Sequence, residues 1–404
     1  MTQSIKKIII TGQMLRGDSF SSRWIYNLFA YYIKRTTGLD VYLTVLPTSN
    51  YSADNFIPMH IEKIYGAYGI DFEYGNRFES PWTDRWAQIY YKKDYNKEAY
   101  DYIYSVFKDS LVISYELEEC MLAALEYFNI PYIEINLDPI RFLEDIMLCF
   151  KTNNKEAYAR LLDYRVDEEF LYLSANYIKA FYATMENKTT NERNVLFLGQ
   201  TECDKTLVDE KSGEIYSILN RKEEFKKAIS GFDNIFYKRH PLVKNDKEII
   251  EYINSLGNVK IIDENFYSLL SRNDIKKVVS ISSGTCCEAR YFQKEAEFLL
   301  KEGVPRQTCN KVELDKYVSI YQDFFSLNFW SHILEPFVKT EKFDRKITIG
   351  GASNKLRNSR IKTPVYYAYE DTNHLMAKRL VEKDFASKMH KSFLAYTIEK
   401  DAEL

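Results

Sequence analysis

Nowhere in the 404 residues is there an apolar run of the ~18 residues that a membrane-spanning helix requires. The N-terminus MTQSIKKIIITG holds only a short apolar run, too brief for the core of a secretory signal. Together these absences predict a soluble, cytoplasmic chain. Charge of one sign is also lacking: 55 basic side chains face 58 acidic ones, for a net charge of −3. The molecule as a whole has no electrostatic reason to seek nucleic acid, and any anion site must be local. The six cysteines show no C-x-x-C spacing, which argues against a zinc or redox motif and for reduced, partly buried thiols. There is no D-x-D pair suited to a divalent ion, no internal repeat and no low-complexity tract. What remains is an ordinary globular composition, 46% hydrophobic and 28% charged, with 33 tyrosines as half-buried, hydrogen-bonding aromatics.

A chain of this length outgrows a single hydrophobic core, so two domains are expected. Strands are predicted at 6–12, 41–46, 111–113 and 132–136, with helical patterns over 21–35 and 121–128 between them. The polar segment ENKTTNER, Glu186 to Arg193, marks a boundary. Beyond it strands follow at 195–198, 234–237, 259–262 and 277–281, then a helix from about Cys286 and a short strand at 297–300. Strands alternating with helices predict an α/β protein with two Rossmann-like, doubly wound domains facing a cleft. The expected division is 1–190, 191–345, and a C-terminal loop and helix over 346–404 that crosses back onto the first domain. Basic Lys378, Arg379, Lys383, Lys388 and Lys391 on that helix suit either solvent or an anionic membrane surface.

The polar residues of interest cluster at strand ends. NVLFLGQTECD, Asn194 to Asp204, places a carboxylate just past a buried strand, where ligands of open α/β sheets gather. The strand NIFYKRHP ends in His240 and Pro241, presenting an imidazole that can donate to a phosphate or, equally, fix a turn. After the next strand come Asp263, Glu264 and Asn265, which suit a ribose hydroxyl or a helix cap. The strand KKVVSIS then opens into Ser282, Ser283, Gly284 and Thr285, donors for an anion at a helix start. The same stretch also spells a capping box, Thr285-x-x-Glu288. Three polar strand ends on one sheet edge make a nucleotide-sized site.

In that order, YKRHP, an acid after the next strand, and SSGT before a helix resemble the CMP-binding pattern of GT-B glycosyltransferases that use CMP-activated acidic sugars, the bacterial sialyltransferases and Kdo transferases. The segment GQTECDKTL narrows the likeness: it is similar to the Q-x-x-x-D-x-[ST] element of retaining β-Kdo transferases that build capsule linkers and some O-antigens. VISYELEECMLAALEYFNIPYIEINLDPIRFLEDI resembles the N-terminal domain of the O-antigen type, although Asp138 stands before Pro139 where an H-P-I-R-F form is commoner. The resemblance spans roughly residues 110 to 300. It implies a nucleophile at Asp204, with Gln200 and Thr206 beside it, and a phosphate held by His240, Ser282 and Ser283, with Glu264 near the ribose.

A 2-keto sugar losing CMP leaves an oxocarbenium-like centre that a carboxylate can capture, and retention then requires a second displacement assisted by a general base. Glu116, Glu118 and Glu119 in SYELEE are candidates, with Glu116 preferred; a solvated first helical turn is the alternative. The sugar carboxylate calls for a cation, with Arg141, Arg290, Arg357 and Arg360 available. A single donor phosphate leads to the expectation of no cofactor and no essential metal. The expected partners are a nucleotide-sugar donor and a glycan or glycolipid acceptor, at the cytoplasmic side of an inner membrane. An inverting sialyltransferase-like enzyme and a non-catalytic CMP-sugar-binding module are the competing readings.

Overall fold

In the computed structural model the described residues are 4–17, 20–47, 55–72, 82–183, 192–201, 204–241, 243, 245–343, 356, 372 and 375. Cys203, the linker to residue 191, and nearly all of the C-terminal loop and helix, with Arg357, Arg360 and the five basic helix residues, lie outside them.

Among the described residues twelve strands form two sheets. The first takes β1 (Lys7–Gly12), β2 (Val41–Val45), β3 (Phe56–Pro58), β4 (Ser110–Tyr115), β5 (Tyr132–Leu137) and β6 (Leu148–Thr152). The second takes β7 (Asn194–Leu198), β8 (Asn234–Lys238), β9 (Val259–Ile261), β10 (Ile275–Ser280) and β11 (Glu295–Phe298). β12 (Val318–Ile320) returns to the first sheet, giving the orders β12-β6-β5-β4-β1-β2-β3 and β11-β10-β7-β8-β9. The second sheet is parallel throughout, while the first is parallel from β3 to β5 and antiparallel at β6 and β12. Ile8, Ile9 and Ile10 of β1 are fully buried, as are Val195 and Leu196 of β7, because strands covered by helices on both faces need continuous apolar runs. This is the expected α/β architecture of two Rossmann-like units in a GT-B-like arrangement.

The domain boundaries differ from the expected ones. Helix Glu168–Ala183 precedes the linker, yet its Leu171, Ala175 and Ile178 pack into one core with Leu196, Phe236 and Leu270 of the second unit. Conversely, β12 and helix Leu327–Leu334 come before residue 345 but belong to the first unit, where the Trp330 ring packs, tilted, 5.0 Å from that of Phe29 of helix Phe20–Thr37. Leu356 is buried in that same core. Apolar faces decide ownership, and these faces match sheets on the far side of a sequence boundary.

Candidate functional site

Each sheet reverses its strand order at one point: β1 against β4 in the first, β7 against β10 in the second. Such switch points open crevices beyond the C-terminal strand ends. Gln200 and Asp204 follow β7, Ser282 follows β10, and His240 follows the neighbouring β8.

The structure joins four of the expected residues in one directed hydrogen-bond chain. Gln200 Nε2 donates to Ser282 Oγ (3.0 Å), Ser282 Oγ to Thr206 Oγ1 (2.8 Å), and Thr206 Oγ1 to Asp204 Oδ1 (3.0 Å). Ser282 N also donates to Gln200 Oε1 (2.7 Å), and Thr206 N to Asp204 Oδ1 (2.9 Å). Asp204 caps the short 3-10 turn Lys205–Leu207. Both bonds fall on Oδ1, so the carboxylate plane is fixed, and Oδ2 takes no hydrogen bond from a described residue. Gly303 is what lets Thr206 sit there: a Cβ on it would come 2.5 Å from Thr206 Cγ2.

His240 lies close enough to feel both Asp204 and Arg141. Burial lowers its pKa, Arg141 lowers it further, and Asp204 opposes them, so the ring is neutral near pH 7 and offers one N–H donor. Gly199 allows the approach, since a Cβ would stand 3.1 Å from His240 N. The histidine also fixes a turn, with Val243 N donating to its carbonyl at 3.0 Å, and Pro241 is exposed beyond it.

Arg141 enters from the first unit. The turn after β5 presses Pro139 onto the serine loop, where a Cβ on Gly284 would meet Pro139 Cβ at 2.8 Å. Arg141 N donates to Glu288 Oε1 (2.7 Å), which also accepts from Tyr267 Oη (2.9 Å). This overturns the capping box. Gly284, without a side-chain cap, is the N-cap of helix Thr285–Tyr291, and Thr285 Oγ1 donates to Ser283 Oγ (2.8 Å). Glu288 is a buried strut between the units.

Glu264 spends both carboxylate oxygens locally, accepting from Ser268 Oγ (2.9 Å) and Arg272 Nη1 (3.0 Å), while Asn265 caps helix Phe266–Ser271. Arg290 sits 4.0 Å from Glu302, with half of its side chain exposed.

At the opposing switch point Glu116 holds φ +51°, a left-handed conformation that costs a non-glycine residue about 1–2 kcal/mol. Gln13 Nε2, at the end of β1, donates to its Oε2 (3.2 Å). Glu118 contradicts both earlier readings, facing neither cleft nor solvent. It is fully buried, accepts from Trp86 Nε1 (3.4 Å), and burial raises its pKa to about 8. Glu119 meets Lys93 at 3.5 Å.

Lys205 was missed by sequence reasoning. Its ammonium reaches out of the second unit to donate to Asn136 Oδ1 and stands 3.6 Å from Glu116 Oε1. Asn136 Nδ2 donates in turn to Glu134 Oε1 (3.2 Å), a carboxyl that burial pushes up to about 7 against the pull of the Ser114 hydroxyl and Lys205. The signal was present: Glu134 and Asn136 are polar at alternate positions of an otherwise apolar buried strand.

The five described cysteines are free, four of them buried. Among the described residues no helix is long and apolar enough to cross a membrane.

No model of a known protein family matches the chain, and no curated protein matches it. Among solved structures it is similar to Thermosulfurimonas dismutans KpsC, a beta Kdo 2,7 transferase, at 14% identity and TM-score 0.33, covering 60% of this chain and 81% of that one. The KpsC beta Kdo 2,4 transferase of the same organism is 15% identical, with TM-score 0.28 over 57% of this chain and 83% of that one. A Methanocaldococcus jannaschii UDP-GlcNAc 2-epimerase is 13% identical, with TM-score 0.26 over 89% and 99%. Similarity this remote says nothing of chemistry, which rests on the residues above.

Proposed function

We propose that the protein is a glycosyltransferase that moves Kdo from CMP-Kdo to a hydroxyl of a glycan or glycolipid acceptor, with retention, in the assembly of a bacterial surface polysaccharide. The observation that carries this reading is the fixed Asp204 carboxylate, oriented through Thr206, Ser282 and Gln200 at one switch point, with the adjacent Lys205 standing 3.6 Å from Glu116 at the other.

In the first displacement Asp204 Oδ2 bonds to the anomeric carbon as its bond to the CMP phosphate breaks, and the departing electron pair goes to a phosphate oxygen. The neutral His240 ring, after β8, donates to that phosphate, and the loop after β10 brings the Ser283 and Thr285 hydroxyls to it. Arg141, beside His240, answers the sugar carboxylate. In the second displacement Glu116 takes the proton of the acceptor hydroxyl, whose oxygen bonds to the anomeric carbon as the Asp204 ester bond breaks. Two inversions give retention.

Intact-mass spectrometry of protein incubated with CMP-Kdo tests this. Glu116→Gln should accumulate a covalent Kdo adduct, and Asp204→Asn should show neither adduct nor turnover. Full activity of Asp204→Asn would remove the covalent route.

A further inference from the structure

At the end of the second sheet away from Asp204 and Ser282, where β10 and β11 begin, a pocket of about 210 Å³ is lined by Lys179, Lys276, Lys294, Asn273 and Gln293. The three lysines come from three places: helix Glu168–Ala183, the start of β10, and the turn before β11. That turn is made by Gln293 at φ +60°, a left-handed conformation uncommon for a non-glycine residue.

No carboxylate among the described residues pairs with these ammonium groups. Lys179 Nζ donates to Gln293 Oε1 (2.9 Å) and Lys294 Nζ to the Arg272 carbonyl (2.6 Å), both neutral acceptors. Lys276 makes no hydrogen bond or ion pair with a described residue. The nearby Asp274 is already held by Arg272 (2.6 Å) and by Asn194 (2.9 Å). The neighbouring Lys277 shows the contrast, since it meets Glu295 at 3.3 Å and Glu297 at 2.5 Å. Burial, then Lys179 and Lys276, press Lys294 down to about 8, against a weaker opposing pull from Asp274. Like charges are thus gathered in a concave site that presents donors and lacks a counter-charge.

We propose that this pocket binds a phosphoryl group, as inorganic phosphate or as a phosphate monoester whose body projects into solvent. The volume sets the size, since it lies below the ~300 Å³ at which pockets for whole small molecules begin. Geometry sets the class: point-charge ammonium groups converging from three sides suit a tetrahedral anion, whereas a planar carboxylate is better met by an arginine fork.

Calorimetric titration of the full chain with inorganic phosphate tests the site. Lys276→Gln, at an exposed position, and Lys294→Gln should each weaken binding about tenfold, the value of one charge-assisted hydrogen bond. His240→Ala should leave this binding intact, which separates the pocket from the proposed donor site. Phosphate should also slow acylation of Lys294, because an anion raises its pKa and removes the free amine. Sedimentation with vesicles of phosphatidic acid in phosphatidylcholine distinguishes the source: loss of vesicle binding in Lys276→Gln assigns a lipid monoester, and vesicle binding that does not change assigns a soluble one. Phosphate affinity that is undetectable in the wild type, or that stays at the wild-type value in both lysine variants, overturns the proposal.

Discussion

Lys205 Nζ stands 3.6 Å from Glu116 Oε1, and this pair ties the switch point of one sheet to that of the other. Lys205 follows Asp204 in sequence, so a single residue step links the proposed nucleophile to the proposed base. Lys205→Met should therefore lower kcat by up to ~100-fold, the cost of misplacing reacting groups by about an ångström, while KM for the donor changes little. Lys205→Arg should not restore the rate, because the longer planar fork cannot place one donor on both Asn136 and Glu116. Steady-state kinetics of the two variants decide the matter, and a wild-type kcat in Lys205→Met would make the contact merely structural.

Gly303→Ala should act on the same machinery from behind. A methyl group 2.5 Å from Thr206 Cγ2 must push Thr206 away, breaking its bonds to Ser282 and Asp204 together. Overpacking of this kind costs about 1–3 kcal/mol of stability, and turnover should fall further than that loss explains. Gly66→Ala is the control: it lies in helix Ile61–Ala67 with nothing within 4 Å of an added Cβ. It should stabilise by about 0.5–1 kcal/mol and leave turnover alone.

Two buried carboxyls give the fold an unusual dependence on pH. Glu118 is raised to about 8 and Glu134 to about 7, both from 4.5 and both chiefly by burial. Between the unfolded and folded values the native state binds more protons than the unfolded chain. This contribution is therefore fully present below pH 4.5 and is lost as pH rises through 7 and 8. His240, lowered from 6.5, works in the opposite sense, favouring the fold as pH rises toward 6.5. Urea midpoints measured from pH 5 to 8.5 should fall, and the double variant Glu118→Gln, Glu134→Gln should flatten the slope. A wild-type midpoint that climbs toward pH 8.5 would contradict the assignment.

His240→Ala should weaken CMP about tenfold, the worth of one hydrogen bond to a charged group, with little change in melting temperature. Equal CMP affinity in wild type and variant would place the phosphate elsewhere. Because CMP carries one phosphate, a chelator should leave turnover unchanged; restoration of lost activity by Mg²⁺ would show a metal requirement.

Much of this arrangement could be read from the chain. Ile8 to Ile10 and Val195 to Leu198 are legible because strands buried on both faces must be apolar throughout. Asp204, His240 and Ser282 stand out as polar residues directly after such runs. Lys205 was hidden because its partner Asn136 is 69 positions away, and no local pattern reports a contact between domains. Glu288 was misread for a related reason: T-x-x-E is a sound capping signal, but Arg141 and Tyr267 capture the carboxylate first. The strands β6 and β12 escaped notice because they pair antiparallel, with β12 at the sheet edge, and lack the long runs of the central strands. Helix ownership also depends on which sheet each apolar face meets, which no linker composition reveals.

The exchange of helix Glu168–Ala183 for β12 and helix Leu327–Leu334 governs how this chain can be dissected. A fragment beginning at residue 192 would lack Leu171, Ala175 and Ile178, together with Ile140, Phe142 and Leu143, from the apolar layer over its sheet. A fragment ending at 183 would leave Phe29 without Trp330. Each lobe is completed by sequence from the other side of the linker, so truncation at the compositional boundary yields two sticky halves, and a viable dissection needs both pieces present in the same refolding mixture.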